Sequence, residues 1–274
     1  MTAVERSTTH PTAIVSLSAS IGARVEIGPY TIIGEDVSIG DGTRIGPHVV
    51  IDGPTEIGCD NLILGQSAIG TVPQDLKYKG ERSKLRIGDR NRIREFVTIN
   101  RGTLGGINET VLGNDNLLMA GVHIAHDCVL GNGTVFSNCA SLAGHVEVGD
   151  HAILAGFAGV QQFCRVGRYA FLGAHSVLTR DALPFVKTVG SRNQARIYGI
   201  NQLGLERKDF PKEEIDQLKR AYRVLFRKGL LVEEAVEQLA REMGDSESVC
   251  TLIHFIRTSE RGFVRATSDR SDES

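Results

Sequence analysis

The amino-acid sequence predicts a parallel β-helix followed by a small α-helical domain, and three observations carry that reading. A bulky apolar residue returns at every sixth position from Val15 to Leu178, with two interruptions. Glycine repeatedly follows that residue, as at Gly22, Gly28, Gly34, Gly40, Gly113, Gly131 and Gly149. After Leu178 the period stops, and a helical spacing of apolar residues takes its place.

The repeat begins as Val15, Ile21, Ile27, Ile33, Ile39, Ile45, Ile51, Ile57, Ile63 and Ile69. It resumes at Ile87, Ile93 and Ile99, then runs from Leu112 through Leu118, Ile124, Leu130, Phe136, Leu142, Val148, Leu154, Val160, Val166 and Leu172 to Leu178. In a chain that is 41% hydrophobic, independent draws would fill all these positions with apolar residues at a probability on the order of 10^-10. A period of six matches neither an α-helix nor a plain alternating strand. It suits very short strands joined by sharp corners, with one bulky side chain inside per face. Three faces make an eighteen-residue coil, and about eight coils stacked ~4.8 Å apart make a rod of roughly 40 Å.

The two interruptions predict loops, and loops that break a solenoid are candidate binding elements. Between Ile69 and Ile87 the phase persists, but its anchors would be Asp75 and Glu81, so a loop near 71–86 is extruded. Between Ile99 and Leu112 a glycine-rich excursion from Arg101 to Asn108 shifts the frame, placing a second loop near 100–111. Past the repeat, Ile215, Leu218, Tyr222, Leu225 and Phe226 share one helical face, with Pro211 suited to the first turn and Gly229 to the end. A second helix carries Val232, Ala235, Val236, Leu239 and Met243, and a third Val249, Leu252, Ile253 and Ile256. The expected division is a β-helix over 1–190 and a helical domain over 191–274, with a polar, disordered tail from Thr267.

Composition narrows the class. A formal net charge of -2 argues against bulk electrostatic binding of nucleic acid. The five cysteines, Cys59, Cys128, Cys139, Cys164 and Cys250, show no C-x-x-C spacing, which argues against a disulfide framework or zinc ribbon and fits a reducing cytosol. No stretch has signal-peptide or membrane-spanning character, so a soluble, cytoplasmic protein is expected.

The densest polar cluster is His123-Ile124-Ala125-His126-Asp127. With Ile124 as the inward anchor, His123 faces outward, and His126 and Asp127 reach the next corner. One coil further, His126 falls over Gly144 and then Gln162, while Asp127 falls over His145. A neutral imidazole can take a proton from a hydroxyl at physiological pH, and a neighbouring carboxylate fixes its tautomer. A glycine amide lets substrate approach closely and can stabilise an oxyanion. A lone surface histidine usually just decorates a corner, whereas this grouping favours a site. Cys128, two residues before an anchor, reads as a buried structural thiol rather than a nucleophile. A direct reaction without a covalent enzyme intermediate is therefore expected. Lys77, by default a solvated loop lysine, is also placed to meet phosphate. The run Arg207, Lys208, Lys212, Lys219, Arg220, Arg223, Arg227 and Lys228 reads either as a solvated face or as a docking surface for an acidic partner.

Specific motifs extend these readings: Gln74-Asp75-Leu76-Lys77-Tyr78, Ile87-Gly88-Asp89-Arg90-Asn91-Arg92, Asn116-Leu117-Leu118-Met119, His123 to Cys128, and Leu142-Ala143-Gly144-His145. On these, from His10 through the C-terminal helices, the chain resembles the UDP-N-acetylglucosamine O-acyltransferases that begin lipid A synthesis, hexapeptide-repeat proteins. The resemblance implies a left-handed parallel β-helix, a hand that the usual crossover rule would not supply. It implies His126 as general base on the sugar 3-hydroxyl, Asp127 as its orienting partner and the Gly144 N–H as oxyanion donor. It further implies that Gln74, Asp75, Lys77, His123, His145 and Gln162 bind the sugar-nucleotide or acyl chain. Asn201, Arg207 and Lys208 would contact the nucleotide from a neighbouring subunit, and Ala174 would lie in the acyl-chain ruler. The implied enzyme is a homotrimer with sites between subunits. It takes (R)-3-hydroxyacyl-acyl carrier protein and UDP-N-acetylglucosamine, and needs no metal or other cofactor.

Three positions depart from the resemblance: Gln161 stands where a histidine is common, Leu203 where some members have glutamate, and Asn100 where histidine occurs. They leave open a 3-hydroxyl or 3-amino acceptor and the acyl length. The related pathway N-acyltransferases carry a globular domain ahead of their repeats, whereas these repeats begin by Val15. A zinc enzyme similar to the γ-class carbonic anhydrases would use His123, His126 and His145, at a spacing that does not match. A non-catalytic scaffold would leave His126, Asp127 and Lys77 without purpose.

Overall fold

The computed structural model describes residues 7–266. The expected disordered tail from Thr267 lies outside the described residues. Within the described residues, strands of mostly two residues follow one another round a triangular section, forming three sheets of eleven, nine and eight strands. Every coil places its strands in parallel register on those of the coil before. Ile63 pairs with Ile93, Ile93 with Leu118 and Leu118 with Phe136, so anchors stack directly on anchors. Ile63, Ile93, Leu118 and Phe136 are fully buried. Among the described residues the result is a left-handed parallel β-helix followed by four helices. Strands this short carry little of the twist that fixes the hand of ordinary crossovers, which leaves the left-handed path open.

The second residue of most corners adopts positive φ, including Asp127 (φ 59°) and His145 (φ 61°). Aspartate, asparagine and histidine tolerate this region better than most residues. The corner conformation therefore suits Asp127 and His145, two side chains that can also do chemistry. Inside one corner, Asn61, Asn91, Asn116 and Thr134 form a buried ladder. The Asn61 Oδ1 accepts from Asn91, the Asn91 Oδ1 from the Asn116 amide, and the Asn116 Oδ1 from Thr134. The corner is turned with each of these asparagine oxygens satisfied, while the buried Asn116 Nδ2 has no partner among the described residues.

The coil starts earlier than the aliphatic series shows. Thr8–Thr9 forms a strand on Glu26–Ile27, with threonine in the anchor position. Residues 72–83 leave the coil between Ala68–Thr71 and Lys84–Ile87, and residues 101–108 leave it between Thr98–Asn100 and Glu109–Leu112.

Past Leu178 the first sheet gains a hairpin that the periodicity did not disclose. Val186–Val189 pairs with Phe171–Leu172 in parallel and with Arg196–Ile200 antiparallel, across residues 190–195. Helices α1 (Gln202–Glu206), α2 (Lys212–Arg227), α3 (Val232–Glu242) and α4 (Glu247–Arg257) follow, α1 also unforeseen. Pro211 is the N-cap of α2 rather than part of its first turn, and Gly229 takes positive φ (68°) just past its end. The buried face of α2 is Ile215, Leu218, Ala221, Val224 and Leu225, with Tyr222 and Phe226 half-buried at its margin. The chain then returns to the rod. Asp181 accepts from the Arg165 amide (2.8 Å) and from the Ser259 hydroxyl (2.8 Å), tying the segment after α4 to the last full coil.

Candidate active site

The two loops and the polar cluster occupy one corner of the prism, between the second and third sheets. Going up the rod, successive layers of that corner are loop 72–83, loop 101–108, His126-Asp127, Gly144-His145 and Gln162-Phe163. The eighteen-residue coil stacks these layers, and the two insertions replace tight corners with loops at the base of the stack.

His126 Nδ1 lies 2.8 Å from Asp127 Oδ2. The Asp127 side chain is wholly buried. Burial pushes its carboxyl up, but hydrogen bonds from His126 and Thr103 outweigh this and hold it below the usual carboxylate range. An ionised carboxylate only accepts, so Nδ1 carries the proton and Nε2 presents a free lone pair. His126 lies against Gly144, where a Cβ would come 2.7 Å from Nε2. Among the described residues the Gly144 amide donates to no protein acceptor. His145 meets His126 edge-on, ring centroids 5.0 Å apart, and stacks on Phe163 at 4.4 Å. Its ring sits below the ordinary histidine pKa, chiefly through burial, with Asp127 pulling it back up. His123 Nδ1 contacts Thr98 Oγ1 at 2.7 Å, and burial followed by the nearby His126 lowers its pKa. Cys128 is buried and its thiol is pushed up to about 12 by that burial, so no thiolate forms at neutral pH.

Of the loop residues, Gln74 and Lys77 are exposed and Asp75 half-buried, near enough to act on His145 electrostatically. The loop is held by an arginine of the layer above it. Arg101 Nη1 donates to the Gly53 and Gly70 carbonyls at 2.8 and 3.0 Å, and Nη2 to the Tyr78 hydroxyl at 3.3 Å. Asn100 turns inward and donates to Thr71 Oγ1 and the Val72 carbonyl, which accounts for an amide at that position. Gln162 is exposed in the top layer.

The remaining predicted residues lie on other corners. Asn201 is buried between the third and first sheets, its Nδ2 donating to the Tyr169 carbonyl at 3.0 Å. Lys208 acts on His151 at that same corner, and Arg207 is exposed at the end of α1. Ala174 is exposed at the corner between the first and second sheets. Sequence reasoning missed Thr103, which donates to Asp127 through both Oγ1 (2.6 Å) and its amide. Its signal was the coil register, since loop 101–108 occupies the layer directly beneath His126-Asp127. A groove of about 310 Å³ runs from Asp127 and His145 past Phe163 to Thr258 and Arg261. A cavity of about 500 Å³ near Val236 and Phe263 holds none of the predicted residues.

His126, Asp127 and His145 bring possible metal-ligand atoms within 4.8 Å of one another. The Asp127 oxygens already accept from Thr103 and His126, so that donor set serves the imidazole and does not form a ready metal centre. His123, which the zinc reading requires, is not in this group.

A histidine–aspartate pair against an open glycine amide on a hexapeptide coil defines the class as a hexapeptide acyltransferase. Residues 18–53 and 109–144 match the bacterial transferase hexapeptide family, and residues 181–264 match Udp N-acetylglucosamine O-acyltransferase, domain 2. A relative from Xylella fastidiosa, named acyl-[acyl-carrier-protein]–UDP-N-acetylglucosamine O-acyltransferase, is 55% identical over 93% of this chain and 97% of its own. One of the same name from Thiobacillus denitrificans is 52% identical over 94% of this chain and 100% of its own. The solved UDP-N-acetylglucosamine acyltransferase of Francisella novicida superposes with a TM-score of 0.92 at 39% identity, covering 95% of each chain. That of Moraxella catarrhalis superposes at 0.91 with 45% identity, covering 94% of this chain and 99% of its own. The chain belongs to the UDP-N-acetylglucosamine O-acyltransferase family and is an acyltransferase.

Proposed function

We propose that this acyltransferase moves an (R)-3-hydroxyacyl group from acyl carrier protein to the 3-hydroxyl of UDP-N-acetylglucosamine, the first step of lipid A biosynthesis. The observation that carries the mechanism is the contact of His126 Nδ1 with the buried, ionised Asp127. His126 Nε2 takes the proton of the sugar hydroxyl as its oxygen attacks the thioester carbonyl. The tetrahedral oxyanion accepts from the Gly144 N–H. Collapse breaks the carbon–sulfur bond, and the imidazolium returns its proton to the departing thiolate. General-base assistance contributes about 10²–10⁴-fold, and one oxyanion donor about 10²–10³-fold. Attack is direct, because the buried Cys128 thiol is unfit as a nucleophile.

Gln74, Asp75, Lys77, His123, His145 and Gln162 bind the sugar-nucleotide or the acyl chain at this corner. Asn201, Arg207, Lys208 and the ruler residue Ala174 lie on other corners, an arrangement that supports a homotrimer in which neighbours complete each site. Asn201 is committed to the Tyr169 carbonyl through Nδ2, so its share of nucleotide contact falls to Oδ1. The exposed basic residues of α2 suit an acidic carrier protein. No helix among the described residues is long and apolar enough to cross a membrane. That fact and five unpaired cysteines support cytoplasmic action.

The test is His126→Ala, assayed by mass spectrometry of the product from acyl carrier thioester and UDP-N-acetylglucosamine. The O-acylated sugar should disappear while far-UV circular dichroism is unchanged. Near-normal turnover by that variant would sink the base assignment.

A further inference from the structure

We infer that Thr103 is a positioning residue for proton abstraction: with Gly106, it cages the Asp127 carboxylate in the one orientation that aligns His126. The inference rests on His126 being the base. Thr103 Oγ1 donates to Asp127 Oδ2 at 2.6 Å, the oxygen that also accepts from His126 Nδ1 at 2.8 Å. The Thr103 amide lies 3.1 Å from both carboxylate oxygens. Gly106 closes a further side. A Cβ there would collide with the carboxylate carbon and come 2.5 Å from Oδ1 and 2.7 Å from Oδ2. The Asp127 backbone is fixed as well, its amide donating to Thr110 Oγ1 at 2.8 Å.

The competing account is that Thr103 merely shapes its own loop. That work is done by its main chain: the Thr103 carbonyl accepts from the Gly106 and Asn108 amides at 3.2 and 3.1 Å. Any residue supplies that carbonyl. Among the described residues the hydroxyl makes no bond within the loop and donates only to Asp127. A β-branched side chain, restricted at χ1, holds the hydroxyl there at low entropic cost. Threonine at 103 and glycine at 106 therefore answer to the carboxylate, and through them loop 101–108 serves the base.

Thr103→Val keeps shape and branching but removes the donor. Kinetics with both substrates should show kcat falling about 10- to 100-fold, as misaligned catalytic groups do, with both KM values within about 2-fold because ground-state binding is untouched. Thr103→Ser should restore kcat to within about 3-fold of wild type by returning the donor. Gly106→Ala keeps every donor but pushes the carboxylate aside, so it should lower kcat with KM unchanged, and it decides the matter should Thr103→Val not fold. Wild-type kcat in Thr103→Val or in Gly106→Ala overturns the inference, as does equal loss in the serine and valine variants. His126→Ala separates the two layers. If it is inactive while Thr103→Val is normal, only the Thr103 role fails; if it turns over, the base itself is misassigned.

Discussion

The imidazole of His126 lies so close to the backbone of Gly144 that a methyl group at residue 144 would sit 2.5 Å from its Cε1. The two are eighteen residues apart, one full coil, so the same repeat that stacks Ile124 on Leu142 in the core lays the ring on the amide outside. Gly144 does not occupy the left-handed region, so the backbone would accept alanine and only the contact resists it. Gly144→Ala should therefore displace the ring from Asp127 and lower kcat about 100-fold, with the circular dichroism spectrum retained. Steady-state kinetics check this, and an unimpaired alanine variant would show that ring position is not set by this contact.

Acid should weaken the fold through its histidines. His123 and His145 are lowered mainly by burial, so their folded pKa values lie under the ordinary value of about 6.5. The unfolded chain then binds more protons as pH falls through 6.5 toward the folded values, and stability declines over that window. Asp127 adds a second loss at lower pH. Its folded pKa is depressed, so its contribution is present above about 3.9 and vanishes as pH falls through the folded value. Urea titrations should give a flat stability between pH 8 and 7 and a decline toward pH 5. His123→Gln should show a shallower decline, and an unchanged slope would remove His123 from the account.

Arg101 ties loop 72–83 to the coil through Tyr78 and two carbonyls. Arg101→Met should free that loop, raise KM for the sugar-nucleotide several-fold and speed tryptic cleavage after Lys77 or Lys79. Equal digestion rates for variant and wild type would mean that the loop is held by other contacts.

Ile124 is fully buried and stacked between Ile99 and Leu142. Ile124→Ala leaves a cavity that neighbouring coils cannot close and should cost about 2–5 kcal/mol, measurable by denaturant midpoint. At the far end of the rod, Asp181 accepts from Arg165 and Ser259. Asp181→Ala should cost about 2 kcal/mol by stranding those donors, and should loosen the segment after α4 in hydrogen exchange.

The β-helix was legible because its core requires one bulky side chain per face, a demand that repeats along the chain and can be counted. The helices of the C-terminal region showed through their 3.6-residue spacing for the same reason. The hairpin Val186–Val189 with Arg196–Ile200 did not show, since its strands draw their burial partly from the last coil and partly from α2, and neither supplies a period. Thr8–Thr9 escaped because an exposed threonine fills the anchor position, so an apolar count does not register it. Asn100 stood out as a departure in sequence, while its purpose, holding Val72, depends on a residue distant along the chain.

The order of residues along the chain determined the coil, its length, the corner that bears His126 and Asp127, and the layer in which Gly144 meets them, because a fixed period converts spacing directly into position. Only the tertiary structure decided that loop 101–108 folds over Asp127 and buries it, that Thr103 supplies the donors, and that Asn201 and Ala174 face away from His126. Loops carry no period, and a hydrogen bond 2.6 Å long between residues 103 and 127 is fixed by how an irregular backbone lies on the corner above it.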